Sequence, residues 1–518
     1  MEGFFEKSPN ANQHHLEVKN HAPQKKLYDY QEQDLQSIFQ CLEESDYNIN
    51  MLYQLPTGGG KTVVFSEITR RFIEKTQKKV VVLTHRIELS RQTSKMLEGF
   101  GVSNMIINSE VKEVNDEGDY MCYVAMVETL NNRLQDEKVT IHDIGLVIID
   151  EAHYNSFRKL FKYFEDSSIL GVTATPLSSN IKLPMKDNYK KLIIGESIES
   201  LIKKKFLAEA NMYHQDVSLR SLKIGSNGDY TVKSSDELYG NQSMLGKLLS
   251  SYRNIALGTK TLIFNNGIST SLYVYDLFKK AGYNVRHLDN RNSTAERKEI
   301  LEWFSKTPDA ILTSVSILTT GFDEPSVETI ILNRATRSLT LYFQMIGRGS
   351  RVLPNKKEFN VIDLGNNIAR FGMWDAPIDW QEIFLFPDFF LENIRNDEEI
   401  EREFVYAMPD ELRAKFAASE SVDFDIKETY KQVLAQGLKS KLVLEKSIEQ
   451  HAQICVENSE DVFDARILAK ELKEEIEYRV KQYSYCIMNN TKNYKEWLQE
   501  DYERKLRLNI SQKFAELM

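Results

Sequence analysis

Between residues 27 and 195, short apolar runs alternate with stretches whose apolar residues recur at helical spacing. Met51–Gln54 reads as a strand, Val63–Lys75 as a helix and Leu146–Ile149 as a buried parallel strand. A run that is apolar at every position has no face for solvent, so it belongs in a sheet covered on both sides. The alternation resumes from 246 to 385, with strands expected at Thr261–Phe264, Ala310–Thr313, Thr329–Leu332 and Val361–Asp363. Two α/β lobes with parallel sheets follow from this pattern. Residues 196–245 read as a connector: Ile198–Phe206 is helical, and Ala210–Thr231 alternates weakly around a turn at Asn227-Gly228-Asp229. After 386, glycine nearly disappears and Glu, Lys and Leu recur at helical spacing, as in Ala465–Gln482. Residues 386–518 are expected to form an all-helical accessory domain, and 1–26 a flexible polar tail.

Two segments carry the chemistry. In Leu55-Pro56-Thr57-Gly58-Gly59-Gly60-Lys61-Thr62, the glycines let the backbone curl so that several N–H groups face an anion. Lys61 is placed to reach the β- and γ-phosphates of a nucleotide, and the Thr62 hydroxyl to ligate Mg²⁺. The helix that follows adds a favourable dipole. In Leu146-Val147-Ile148-Ile149-Asp150-Glu151-Ala152-His153, Asp150 ends a strand where a Mg²⁺ ligand belongs in an open parallel sheet. Glu151 is placed to polarise an attacking water. A glycine turn or an acidic strand end alone would mean little; together in one domain they imply ATP hydrolysis.

Asp-Glu-Ala-His after a phosphate loop resembles the superfamily 2 helicases and translocases, and the family's other motifs follow in order from 27 to 372, about two-thirds of the chain. Leu27-Tyr28-Asp29-Tyr30-Gln31 is similar to the adenine-reading motif, which implies a base contact by Gln31 and stacking by Tyr28, where the family often has Arg. The resemblance also makes Thr57, Gly58, Gly59 and Gly60 nucleotide contacts. Thr84-His85-Arg86 to Gln92, and Met126 to Leu130 with Thr129, resemble the segments that grip a nucleic-acid backbone. Gly171-Val172-Thr173-Ala174-Thr175-Pro176 resembles the motif coupling that grip to ATP, with His153, Thr173 and Thr175 in the coupling role.

In the second half, Thr261–Asn265 resembles the first strand of the second motor domain. Ile311 to Pro325 resembles the motif touching both strand and nucleotide, which implies nucleic-acid contacts by Thr313, Ser314 and Thr319 and nucleotide contacts by Gly321 and Asp323. Gln344 to Arg351 resembles the arginine-finger motif, with Gln344, Arg348 and Arg351 as catalytic residues. Arg334–Leu339, and Val361–Asn367 with Phe371-Gly372, look typical of a branch related to excision-repair and type III restriction motors. Met345 stands where RNA-remodelling relatives often carry Arg, which tilts the substrate toward DNA. The implied fold is two RecA-like lobes with ATP and Mg²⁺ between them, moving 3′ to 5′.

Phosphoryl transfer gathers negative charge on the γ-phosphate and leaving oxygens, and a guanidinium offers planar, permanently charged donors to them. Arg348 and Arg351 are three apart, so on a helix they would share a face.

At 518 residues the chain has room for about three domains. Its net charge is −10, and residues 391–518 carry −7 of it, leaving the motor portion nearly balanced. This argues against loose, charge-driven binding and for an affinity set by the motor groove and ATP state. No apolar run approaches the roughly 20 residues that span a bilayer, so no membrane partner is expected. The polar N-terminus lacks a signal-peptide core, and its His14, His15 and His21 lack further metal-ligand spacing. Cys41, Cys122, Cys455 and Cys486 form no paired motif and read as reduced thiols of a cytoplasmic protein.

Pro409-Asp410 followed by Asp425-Ile426-Lys427 has the bare spacing of a metal-dependent nuclease. Val422, Phe424 and Ile426 alternate like a strand, but Glu411–Ser419 reads as helical and further strands are lacking, so the spacing reads as incidental. The aromatics from Tyr483 to Tyr502 read as core. The expected function is an ATP-driven DNA helicase or translocase, in a repair or antiphage-defence setting. The alternatives are an RNA helicase, and a nucleotide-gated clamp whose acidic tail recruits a nuclease or signalling effector.

Overall fold

The computed structural model describes residues 26–114, 120–180, 182–315, 318, 322–487 and 491–517. The expected tail up to residue 25, and the candidate contacts Thr319 and Gly321, lie outside the described residues. The chain forms two compact units that divide at Glu196–Ser197, with Thr57–Gly59 grouped with the second.

The first unit is built on seven strands: β1 Asn50–Gln54, β2 Lys79–Thr84, β3 Asn104–Ile107, β4 Cys122–Met126, β5 Ile144–Asp150, β6 Ser168–Thr173 and β7 Lys191–Ile194. They lie in the order β3-β4-β2-β5-β6-β1-β7, and all pairings are parallel. Val80–Val82 and Leu146–Ile149 are fully buried, as uninterrupted apolar runs require. Parallel pairing puts every strand's C-terminal end on one edge of the sheet. The loops after β1, β2, β4, β5 and β6 therefore emerge together. These loops are the phosphate loop, Thr84–Arg86, the Met126–Leu130 segment, Glu151–His153 and Ala174–Pro176.

The second unit holds a sheet of six strands: β8 Glu209–His214, β9 Thr261–Asn265, β10 Val285–Leu288, β11 Ile311–Ser314, β12 Thr329–Asn333 and β13 Glu358–Asp363. Their order is β10-β11-β9-β12-β13-β8, again all parallel. The stretch read as a connector thus contributes a strand, with Glu209 to His214 pairing along Glu358 to Asp363. As an edge strand, β8 is only partly covered, which explains its weak alternation. The helix Gln242–Ile255 also joins this unit: Leu245, Leu248 and Tyr252 share a core with Ile263, Ile331 and Ile362.

Most of the described residues from 397 to 517 are helical, with a core that includes Ile448, Ala452, Ile476, Val480, Tyr502 and Ile510. Ala465–Gln482 is two helices, Val462–Glu471 and Lys473–Cys486, separated at Leu472. Tyr483 and Tyr502 are core residues, whereas Trp497 is exposed. The alternation at Val422, Phe424 and Ile426 is not a strand. Asp425 caps the helix Ile426–Ala435, its carboxylate accepting from Glu428 N at 2.9 Å, while Val422 and Ile426 enter the helical core. Asp410 opens a separate one-turn helix, Asp410–Arg413. Among the described residues, no group of three or more His, Cys, Asp or Glu could hold a metal, and no helix is long and apolar enough to cross a membrane.

A buried polar network crosses this helical core. Ser447 Oγ lies 2.7 Å from the Tyr502 hydroxyl, which lies 2.9 Å from His451 Nδ1. Arg479 donates to Ser447 Oγ at 3.0 Å and pairs with Glu475. Burial, aided by Arg479, pushes the His451 imidazole down to about 4. An unfolded histidine takes a proton near ~6.5, so between these values only the unfolded chain binds it. The stability from neutral His451 is complete above pH ~6.5 and is lost as the pH falls towards 4, by up to ~3 kcal/mol. In urea titrations of the full chain at several pH values, His451→Gln is expected to flatten this acid limb.

Candidate nucleotide site and strand-gripping segments

The phosphate loop turns through left-handed backbone at Gly58 (φ +94°) and Gly60 (φ +87°). A Cβ at Gly60 would sit 2.5 Å from Gln31 Nε2, so glycine is required there both for the turn and for the approach of Gln31. Gln31 is buried; its Oε1 accepts from Tyr28 N at 3.0 Å, and its Nε2 donates to the Tyr30 hydroxyl at 3.3 Å. Tyr28 is exposed and stacks on Tyr30, with centroids 6.1 Å apart and 16° between planes. Thr57 and Gly59 complete the loop, and the helix Lys61–Thr76 starts directly from Gly60. Lys61 Nζ donates to the Leu55 carbonyl at 3.3 Å, and Thr62 follows it in the helix's first turn.

Asp150 is buried, and its Oδ1 accepts from Glu151 N at 3.0 Å. Burial raises its carboxyl to about 7; Glu151 adds to the rise and Lys61 opposes it. A divalent cation would relieve this crowding of negative charge, and the Thr62 hydroxyl and Asp150 carboxylate are the hard oxygen donors that Mg²⁺ takes. Glu151 stands in the left-handed region at φ +54°, a conformation that non-glycine residues adopt uncommonly.

A chain of polar contacts leads away from Glu151. Its Oε2 is 3.4 Å from His153 Nδ1, which is 3.1 Å from Thr173 Oγ1. Burial pushes the His153 imidazole down, with Glu151 pulling the other way. Thr173 Oγ1 accepts from Thr175 N at 3.2 Å. The Thr173 carbonyl accepts from Leu55 N at 3.0 Å, and Gln54 Nε2 donates to Ala174 O at 3.1 Å. Glu151, His153, Thr173 and Thr175 are therefore joined to the start of the phosphate loop. A second path is aromatic. Tyr154 lies between His153 and His85, with centroids 4.3 and 4.5 Å away. Burial pushes His85 down to about 4, and neither of its ring nitrogens has a hydrogen-bond partner. Sequence reasoning missed Gln54 and Tyr154. The polar end of an otherwise apolar strand was the available signal for Gln54.

The expected strand-gripping residues divide by exposure. Gln92 is exposed on the helix Ile87–Gly99, for which Arg86 is the half-buried N-cap. Thr129 is half-buried in the first turn of the helix Val127–Gln135. Thr84, Thr313 and Ser314 are fully buried. Thr84 Oγ1 lies 2.6 Å from Ser90 Oγ. Thr313 Oγ1 accepts from Asn265 at 2.9 Å, and Ser314 Oγ donates to the Leu288 carbonyl at 2.9 Å. Their hydroxyls shape the ends of strands in sheets covered on both sides.

The arginine segment is not a helix. The helix Leu339–Ile346 ends at Gly347, so Arg348 and Arg351 do not share a helical face. Arg348 Nη1 donates to the Phe322 carbonyl at 2.5 Å, and Arg351 Nε donates to Asp323 Oδ1 at 2.9 Å. Gln344 is buried on the preceding helix, and its Nε2 has no hydrogen-bond partner. Lys356 holds this loop: its ammonium donates to the carbonyls of Gly349 (2.6 Å), Arg351 (2.9 Å) and Pro325 (2.9 Å). Burial pushes it down to about 8. In sequence it is one lysine of a polar turn, with no signal of this role. Lys356→Met is expected to lower steady-state ATP turnover by about tenfold or more, because buried carbonyls lose a charged donor and the loop its brace. Melting temperature, measured in parallel, separates this from global loss of fold.

Residues 24–178 match the family described as type III restriction enzyme, res subunit, and 241–352 match the helicase conserved C-terminal domain. The chain belongs to the superfamily 2 helicases, in the branch of the restriction-type motors. This helicase is 30% identical over 337 residues to a "51.5 kDa protein" of Lactococcus phage (isolate 7-9), covering 64% of this chain and 69% of that protein. It is 27% identical over 363 residues to the "Putative ATP-dependent helicase IRC3" of Saccharomyces cerevisiae, covering 65% of this chain and 51% of the yeast protein. The helicase thus spans about half the length of that yeast relative. Its fold is similar to a fragment of a "putative HsdR subunit of a type I restriction enzyme" from Vibrio vulnificus YJ016, with TM-score 0.53, 22% identity and coverage of 67% and 66% of the two chains.

Proposed function

We propose that this ATP-dependent helicase acts on DNA, using hydrolysis at the phosphate loop and Asp150-Glu151 to move along a strand or open a duplex, 3′ to 5′. The observation that carries this reading is the double connection from Glu151. A 3.4 Å contact to His153, whose ring hydrogen-bonds Thr173, leads to the phosphate loop, and tilted ring contacts through Tyr154 lead to His85 in the gripping segment. A group that activates water for ATP hydrolysis is thereby in contact with a segment placed to feel a strand. The restriction enzymes among its relatives support DNA over RNA.

In this reading Thr62 and Asp150 would hold Mg²⁺, which neutralises phosphate charge when bound. Lys61 orients the β- and γ-phosphates, Glu151 polarises the water, and neutral His153 links Glu151 to Thr173. Arg351 and Arg348 meet charge developing on the γ-phosphate. Residues 386–518 serve a protein partner, since −7 of the net charge lies in 391–518 and does not suit phosphate contacts.

The test is the steady-state ATPase rate without nucleic acid, then with single-stranded, duplex and forked DNA, and with RNA, using Lys61→Ala as the blank. Strong stimulation by DNA and weak stimulation by RNA is expected. Equal or greater stimulation by RNA would overturn the DNA assignment. Indifference to every nucleic acid would favour the partner-gated clamp, which a displaced-strand assay would then show to release nothing.

A further inference from the structure

A cavity of about 800 Å³ opens within the second unit, between residues 215–250 and the helical residues 401–411 and 474–481. Its volume lies in the range of ligand sites. Met244, Phe404 and Met408 form a buried apolar floor. The walls are aromatic: Tyr406 and Tyr478 stack with centroids 5.7 Å apart, and Phe404 meets Tyr478 edge-on at 5.4 Å.

The charges are unbalanced. Each cation lining the cavity is already engaged: Lys247 with the Asp216 carbonyl at 2.7 Å, Arg220 with Glu477 at 2.7 Å, and Lys481 with Glu401. Glu237, Asp410, Glu411 and Glu474 stand exposed around the opening, and none forms an ion pair among the described residues. Unpaired carboxylates around an opening attract cations and repel phosphates. An apolar floor beneath that rim rewards a ligand that alternates basic and apolar side chains.

We propose that this cavity is a docking site for a basic, apolar-anchored peptide segment of a protein partner, its Lys or Arg side chains meeting the acidic rim and an aliphatic or aromatic side chain entering the floor. The site names the chemistry of the partner proposed for the helical region. It is independent of the motor reading: a DNA-stimulated ATPase that ignores the peptide would leave that reading intact.

The test is fluorescence anisotropy on the full chain, at about 0.15 M salt so that diffuse attraction is screened. The probe is a short labelled peptide alternating Lys and Leu. It is expected to bind at least about tenfold more tightly than versions with Ser for Leu or Glu for Lys. Neutralising the rim in the double variant E237Q/E474Q should weaken it about tenfold, and Leu238→Ser, at the half-buried wall, should weaken it separately. The control E445Q/E460Q, which alters exposed carboxylates outside the cavity, should change nothing. Equal binding of the Lys–Leu and Lys–Ser peptides, or full binding by the rim variant, would overturn the proposal. So would displacement of the probe by spermidine at matched cation concentration, since the site would then take a small polyamine.

Discussion

Arg351→Ala is expected to lower ATP turnover by ~10³ or more while ATP affinity stays within a few fold, the behaviour of a group that acts on transition-state charge. The geometry supports this division. The Arg351 carbonyl is fixed by Lys356, so the backbone is anchored. Among the described residues the guanidinium is held by Asp323, in an ion pair whose partners are 33% and 57% exposed. Exposed pairs of this kind contribute about 0–1 kcal/mol, little against the charge of a γ-phosphate. An anchored backbone with a weakly held side chain is what an arginine needs in order to leave one carboxylate and meet a phosphate. Arg351→Lys should recover little, because an ammonium is a point charge and cannot donate as a planar fork. Single-turnover hydrolysis, with binding of a fluorescent ATP analogue measured alongside, decides the matter. Turnover equal to the parent's would remove Arg351 from catalysis.

Much of the backbone of the candidate nucleotide site was legible because its signals are local. Three glycines before Lys61, and an apolar run ending in Asp150-Glu151, state both their backbone conformation and their chemistry within eight residues each. The uniformly apolar strands were legible for the same reason, and parallel pairing then brought their C-terminal loops to one edge. What was missed depends on information spread across the fold. The edge strand β8 has one partner and partial cover, so its pattern is diluted. Motif membership marks Thr84, Thr313 and Ser314, but their burial is set by neighbours such as Ser90 and Asn265, which the motifs do not name. Gly347 and Gly349 flank Arg348, and glycines so spaced oppose a helix, a signal that outweighs the three-residue spacing of the arginines. Lys356 becomes informative only where three carbonyls from two segments converge on it.

Glu151→Gln is expected to reduce hydrolysis by ~10² to 10⁴, the range of general-base contributions, with ATP still bound. Gln keeps the size of the side chain, so the left-handed turn at 151 and the packing against His153 persist. It also removes the negative charge that helps raise the Asp150 carboxyl, so metal and nucleotide binding should not suffer. ATP would then remain unhydrolysed, and the variant should hold DNA more tightly with ATP than without. His153→Ala separates chemistry from coupling. It leaves Glu151 in place but removes both the hydrogen bond to Thr173 and the ring that stacks on Tyr154. Basal hydrolysis should survive in that variant, within about tenfold, while stimulation by DNA is lost. If Glu151→Gln hydrolyses at the parent rate, another group activates the water. If His153→Ala keeps full stimulation, the strand is sensed by a route other than the His85–Tyr154–His153 stack.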